Sequence, residues 1–251
     1  MKTDGLWAIE FEAESLDDFA LSNDVRKTLD RALKNNLRRP LLFVGSYGVG
    51  KTSVARFFSN RLYGKVDLVE CGKWAIMTAT EQKALIQTYE KRLNGKGGLG
   101  RFFLDKGQRE VIIFDEFHNV GLKQQRSLSN VLEADGAAAA IFTSNSVDDV
   151  DMLVNERCGG EIAFDVVDAH ATAAGNKLVV KQGSAEDWHN ELVRVGGRYA
   201  KRFGYHINDD IAEGVLKEKL RHYTSVRRFI QRLQEAYEDD GILTDSANGQ
   251  G

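Results

Sequence analysis

Five short apolar runs punctuate the first two thirds of the chain: PLLFVG (40–45), VDLVEC (66–71), EVIIFDE (110–116), AAIFTSN (139–145) and EIAFDVV (161–167). They are rich in Val, Ile and Phe and bounded by glycine or polar residues, the pattern of strands buried on both faces. Helical spacing fills the gaps. Val25, Leu29, Leu33 and Leu37 make one stripe over about 23–38, with Asn23 as N-cap and Pro40 marking the end. Val54, Phe57, Phe58 and Leu62 make a second, residues 80–93 a third, and Leu128, Val131 and Leu132 a fourth. Strands alternating with helices predict an α/β fold: a mostly parallel five-stranded sheet covered on both faces.

Beyond residue 183 the strand signal stops, and the segments SAEDWHNELVRVGGRYAKRFG, NDDIAEGVLKEKLRHY and SVRRFIQRLQEAYEDD read as three helices. Ser184 and Asp187 have capping-box spacing, and Val226, Phe229, Ile230 and Leu233 share one helical face. The chain therefore divides into an α/β domain (1–167), a connector (168–183), a small helical lid (184–240) and a disordered tail (241–251). The connector carries KLVVK, either an extra strand or one arm of a hairpin paired back onto EIAFDVV.

Charge changes this picture little. Thirty-four Lys and Arg face 37 Asp and Glu, a net charge of −3, so contact with nucleic acid has to come from a local basic surface. No run approaches the roughly 18 apolar residues of a membrane span, and MKTDGLWAIEFEAESLDD lacks a signal-peptide pattern. A protein that is not secreted and makes no membrane contact is expected. Cys71 and Cys158 lack metal-site spacing and read as reduced, packed thiols, and Trp7, Trp74 and Trp188 as packing residues.

The chemistry concentrates after the first strand. GSYGVGKTS (Gly45, Ser46, Tyr47, Gly48, Val49, Gly50, Lys51, Thr52, Ser53) meets the pattern GxxxxGK[ST] between a strand and a helix. Glycines let backbone N–H groups turn inward around phosphates, Lys51 supplies a cation, and the Thr52 hydroxyl can ligate magnesium. VIIFDEFHN delivers Asp115 and Glu116 to a strand end, where Asp115 would complete the magnesium shell and Glu116 would orient or deprotonate the attacking water. IFTSNS ends another strand with Asn145, able to hydrogen-bond that water or the terminal phosphate. Arg157 follows in NERCGGEIAFD, and Arg227 opens the helix of TSVRRFIQR.

This ordered series resembles the AAA+ ATPases, and within them the sliding-clamp loaders of the phage and replication factor C small-subunit type. DEF followed by GLKQQRSLSNVLEA, TSN, RC before a strand, and SVRRFIQRLQ resemble respectively the acidic pair with its following helix, sensor 1, the arginine-finger motif and the sensor 2 helix of that branch. The resemblance spans about residues 15–238. It implies Mg2+-dependent ATP hydrolysis, with Arg157 acting in trans on a neighbouring subunit's ATP and Arg227 touching the phosphates of its own. It further implies a homo- or hetero-oligomer of AAA+ subunits, a sliding clamp as client, and primer-template DNA stimulating hydrolysis while contacted through its backbone by Lys123, Gln125 and Arg126. The location so implied is the cytoplasm of a bacterial or phage-infected cell, or its nucleoid. Two other functions fit the same motifs: a helicase loader or other DNA-remodelling ATPase, and a nucleotide-binding structural subunit of a larger complex.

Overall fold

In the computed structural model, residues 6–93, 110–132, 138–164, 179–180, 184–218 and 225–240 are described. The apolar runs form strands β1 (Leu41–Val44), β2 (Asp67–Glu70), β3 (Glu110–Asp115), β4 (Ala138–Ser144) and β5 (Gly160–Ala163), joined by a short β6 (Val179–Val180). Their order is β2-β3-β4-β1-β5-β6, and every neighbouring pair is parallel. The five expected strands are present, and KLVVK supplies a sixth. It is not the arm of a hairpin, because Glu161 pairs with Val179 and Ile162 with Val180 in parallel register. Parallel pairing requires a crossover of about a dozen residues or more, for which the intervening segment has the length.

The strands are apolar on both sides because both faces are covered. Leu42, Ile112, Phe114, Ala140 and Phe142 point into one core, while Leu41, Phe43, Val111, Ile113, Ala139 and Ile141 point into the other. That strict alternation is the period of two of a pleated strand. Helices α2 (Asn23–Lys34) and α3 (Lys51–Tyr63) cover the second face; α4 (Ala79–Leu93), α5 (Leu122–Ser129) and α6 (Met152–Arg157) cover the first. A short α1 (Trp7–Glu10) precedes them all.

Helix α2 corrects two expectations. Its cap is Ser22, whose hydroxyl accepts the Val25 N–H, rather than Asn23, which lies inside the first turn. It also stops at Lys34, well before Pro40: Asn36 and Leu37 have φ of 50° and 46°, a left-handed pair that no helix continues through. Leu37 is nonetheless buried, so its place in the apolar stripe came from packing in the turn. In α5 the same distinction applies, since Val131 and Leu132 are buried just beyond the helix end.

Helices α7 (Ala185–Arg202), α8 (Asp209–Glu218) and α9 (Val226–Asp240) form the helical unit. Ser184 and Asp187 make the reciprocal capping box at the start of α7. Phe229, Ile230 and Leu233 are buried against Trp188, Leu192 and Val195, and Trp7 of α1 is fully enclosed in this same core. The Trp7 ring stacks on Phe203 at 5.1 Å, and the Trp7 backbone N–H donates to Gln234 Oε1 at 2.9 Å. The N-terminal segment thus packs with the helices that end the chain. The tail 241–251 lies outside the described residues.

Candidate functional site

Strand β1 lies between β4 and β5, so the loop that leaves it opens at the sheet's centre, at the carboxyl ends where parallel sheets form their ligand crevice. Residues 45–53 form that loop and the first turn of α3. Gly48 and Gly50 have φ of 80° and 101°, which side-chain-bearing residues rarely adopt, and Gly50 caps the helix. The helix N-terminus, positive through its aligned peptide dipoles, faces a cavity of about 280 Å³ lined by Tyr47 through Val54, Asp115, Glu116, Thr143, Asn145 and Arg227, among others.

Lys51 is 7% exposed. Its ammonium donates to Gly45 O and Ser46 O at 2.5 and 2.8 Å and to Asn145 Oδ1 at 3.3 Å, so loop and β4 end are joined through one cation. Thr52 Oγ1 donates to Asp115 Oδ1 at 2.7 Å. This hydroxyl and carboxylate form the hard-oxygen pair that suits Mg2+, an ion that takes one or two protein ligands and fills its octahedron with phosphate and water.

Glu116 sits just past β3 with φ of 54°, a left-handed conformation unusual for glutamate, and its N–H donates to Thr143 Oγ1 at 3.0 Å. Thr143 Oγ1 in turn donates to Asp115 Oδ1 at 2.6 Å. One buried hydroxyl therefore braces both members of the acidic pair. Cys71 lies close by; burial pushes its thiol well up, with the charges of Asp115 and Glu116 adding to the effect, so it stays an unreactive packing group.

The helical unit closes over the loop. Arg227 N–H donates to Gly48 O at 3.1 Å, and the Arg227 side chain is exposed on the cavity lining. Across the cavity, Asp18, Phe19, Ala20 and Leu21 line the wall; the segment is tied to α7 by the Arg198–Asp18 ion pair at 2.5 Å and by Arg194 donating to Phe19 O at 2.9 Å, while Arg26 of α2 donates to Leu21 O at 2.9 Å and pairs with Glu191 of α7 at 2.8 Å.

Such a crevice, with a glycine loop, a buried lysine and a braced acidic pair, matches the family comparison. The model of the ATPase family associated with various cellular activities (AAA) matches residues 41–166, half of the chain. The chain belongs to the AAA ATPase family. Among curated proteins it is similar to a putative replication factor C small subunit of Acanthamoeba polyphaga mimivirus, 22% identical over 159 residues, covering 61% of this chain and 44% of that protein. It is also similar to replication factor C subunit 5 of Arabidopsis thaliana, 26% identical over 130 residues, covering 51% of this chain and 33% of that one. The aligned part is thus less than half the length of either relative. Among solved structures, the Thermotoga maritima RuvB Holliday junction branch migration motor superposes with a TM-score of 0.59 at 19% identity, over 90% of this chain and 65% of that one. The likeness is one of fold.

In this AAA ATPase, Arg157 stands apart from the group around Lys51. It ends α6, half-buried, with Nη1 donating to Ser129 Oγ at 3.3 Å and Leu153 O at 3.4 Å, and it does not line the cavity. The basic helix α5 requires a correction. Lys123 and Arg126 are exposed, Arg126 pairing with Asp151 at 3.0 Å, but Gln125 is fully buried. Its amide donates to Val120 O at 2.8 Å, Asp149 O at 3.1 Å and Phe117 O at 3.4 Å, and accepts Asp151 N–H at 2.7 Å. Gln125 shares the inward helical face with Leu128 and Ser129, so it has no surface to offer DNA.

Thr143 escaped the sequence reading although its signal was present. A threonine inside the otherwise apolar run AAIFT must find a partner once buried. The wall at 18–21 carried no comparable signal, because only folding brings it beside the loop.

Among the described residues no helix is long and apolar enough to cross a membrane.

Proposed function

We propose that this AAA ATPase is a clamp-loader-type switch that binds Mg-ATP, assembles with other AAA+ subunits around primer-template DNA, and uses hydrolysis to leave a sliding clamp on it. The observation that carries the reading is the division of the site: Lys51, Thr52, Asp115, Glu116, Asn145 and Arg227 line one cavity, while Arg157 lies outside it. A hydrolytic site that needs an arginine finger is then completed by a neighbouring subunit. The relatives named replication factor C subunits support the choice of client.

In this reading the N–H groups of residues 45–53 cradle the phosphates and Lys51 turns its ammonium to the outer ones. Thr52 and Asp115 would hold Mg2+, which would supply positive charge against the phosphates. Glu116 takes the proton of the attacking water, and Asn145 orients that water against the terminal phosphate. Arg157 enters the neighbour's site, where fingers of this kind contribute on the order of a thousandfold or more in rate. Arg227 ties the lid to the nucleotide, since its N–H is already anchored on the loop at Gly48 O. Lys123 and Arg126 track the duplex backbone, positioning the subunit without reading bases.

Steady-state ATP turnover measured against protein concentration, with and without primer-template duplex, tests this. Turnover rising more steeply than linearly and stimulated by the duplex, and further by a clamp, is expected. Turnover proportional to concentration and indifferent to DNA would overturn it.

A further inference from the structure

His118, in the 3-10 turn Phe117–Asn119 beside the acidic pair, lines the cavity but has no part in the chemistry described so far. Its Nε2 lies 3.3 Å from Asn145 Nδ2 and 3.5 Å from Asn119 Nδ2, while its buried Nδ1 has no hydrogen-bond partner among the described residues. Both neighbours are amide nitrogens, which can only donate. Nε2 must therefore accept, and the ring proton must sit on Nδ1. The other end of the Asn145 amide, Oδ1, accepts from Lys51 Nζ at 3.3 Å. An amide has two ends of nearly equal shape, and nothing in its own geometry chooses between them.

We infer that His118 is a positioning residue for Asn145: a neutral imidazole whose Nε2 accepts one Nδ2–H, so that Oδ1 is directed to Lys51 and the second Nδ2–H is free for the attacking water or the terminal phosphate. With the amide reversed, N–H₂ would face the lysine ammonium and Oδ1 would face the ring acceptor, two mismatched contacts. The chain Lys51–Asn145–His118 thus sets the polarity of the amide before substrate arrives. Asn119 Nδ2 approaches the same Nε2 while also donating to Glu116 O at 3.1 Å, so the same turn carries both the acidic pair and the amide's anchor. The inference rests on the role proposed for Asn145.

The test compares His118→Phe, which cannot accept, with His118→Gln, whose Oε1 can, and combines the former with Asn145→Ala in the full chain. At saturating ATP, His118→Phe should lower kcat by about tenfold while ATP affinity stays within about threefold, and the double variant should turn over no more slowly than Asn145→Ala alone. His118→Gln should recover most of the rate. A role confined to packing would give no such split and no rescue by glutamine. Undiminished turnover in His118→Phe, or effects of the two substitutions that multiply, would overturn the inference. Long-range proton–nitrogen correlation on histidine-labelled protein, with His118→Gln used to assign the signal, reads the ring directly and needs no hydrolysis. A proton on Nδ1, with a shift that moves in Asn145→Ala, is expected; a proton on Nε2 would contradict the inference. If the wild-type chain hydrolyses no ATP, the functional reading fails, and the tautomer still decides the part played by His118.

Discussion

Replacing Gln125 by alanine removes the amide that joins α5 to the start of α6. Three donated bonds are lost, of which those to Val120 O and Asp149 O are short at 2.8 and 3.1 Å, and the Asp151 N–H loses its acceptor at 2.7 Å. The Phe117 carbonyl suffers less, since it still accepts the Val120 N–H at 3.0 Å. A buried group left without a partner costs roughly 1–3 kcal/mol. With two carbonyls and one N–H affected, and water able to enter part of the space vacated, a loss of about 3 kcal/mol is expected. For a domain of this size that corresponds to a fall in Tm of about 6–12 °C. Urea unfolding followed by fluorescence of the three tryptophans measures it. Gln125→Met, which fills much of the volume without polar atoms, should lose a similar amount, showing that hydrogen bonds dominate over the cavity. The folded fraction of either variant should bind primer-template DNA as tightly as wild type at matched salt, whereas Lys123→Ala should bind it more weakly. A loss under about 1 kcal/mol, less than one net hydrogen bond, or a selective loss of DNA affinity in Gln125→Ala, would refute this reasoning.

Two further outcomes follow from the lid contacts. A Cβ at position 48 would lie 2.3 Å from Ser225 Oγ on a backbone with φ of 80°, so Gly48→Ala should destabilise the protein by about 1–2 kcal/mol; adding Ser225→Gly should recover only the part due to contact, and full recovery would show that backbone strain is negligible. Burial would raise the Asp18 carboxyl, but the Ser15 and Glu14 N–H groups and Arg198 outweigh it and hold its pKa below the ordinary value. A carboxyl with a depressed folded-state pKa adds stability above its unfolded pKa near 3.8 and loses it as pH falls through the folded value. The stability gap between wild type and Asp18→Asn should therefore be constant near neutral pH and narrow below about pH 4; a gap that widens on acidification would reverse the assigned sign.

Where function depends on residues close in sequence, the chain is easy to read. Gly45 to Ser53 form a local structure, and the strands either side of it are apolar throughout because helices cover both faces. Asp115 and Asn145 were legible for the same reason: each ends an apolar strand, and parallel strands end together in one crevice. What escaped depends on contacts between distant segments. Thr143 braces the acidic pair across a strand boundary, and Trp7 packs beside Tyr237, 230 residues on. Gln125 misled for a simple reason. A polar residue on a short helix between Lys123 and Arg126 reads as solvated, and only the folded chain supplies the three carbonyls and one N–H that let an amide be buried. Asn23 and Ser22 are both good caps, and side-chain geometry chose between them.

The central claim, that two subunits build one hydrolytic site, is most directly tested by mixing two inactive variants. Arg157→Ala should bind ATP within a few fold of wild type but fail to hydrolyse it, and so should Glu116→Gln. Combined, each lacks what the other retains. An Arg157→Ala subunit's nucleotide would meet intact Glu116 in its own cavity and the finger of a neighbouring Glu116→Gln subunit. Turnover should therefore reappear on mixing and peak near equal amounts. Mixtures that stay inactive at every ratio, while still assembling, would place both residues in the service of a single subunit and contradict the account.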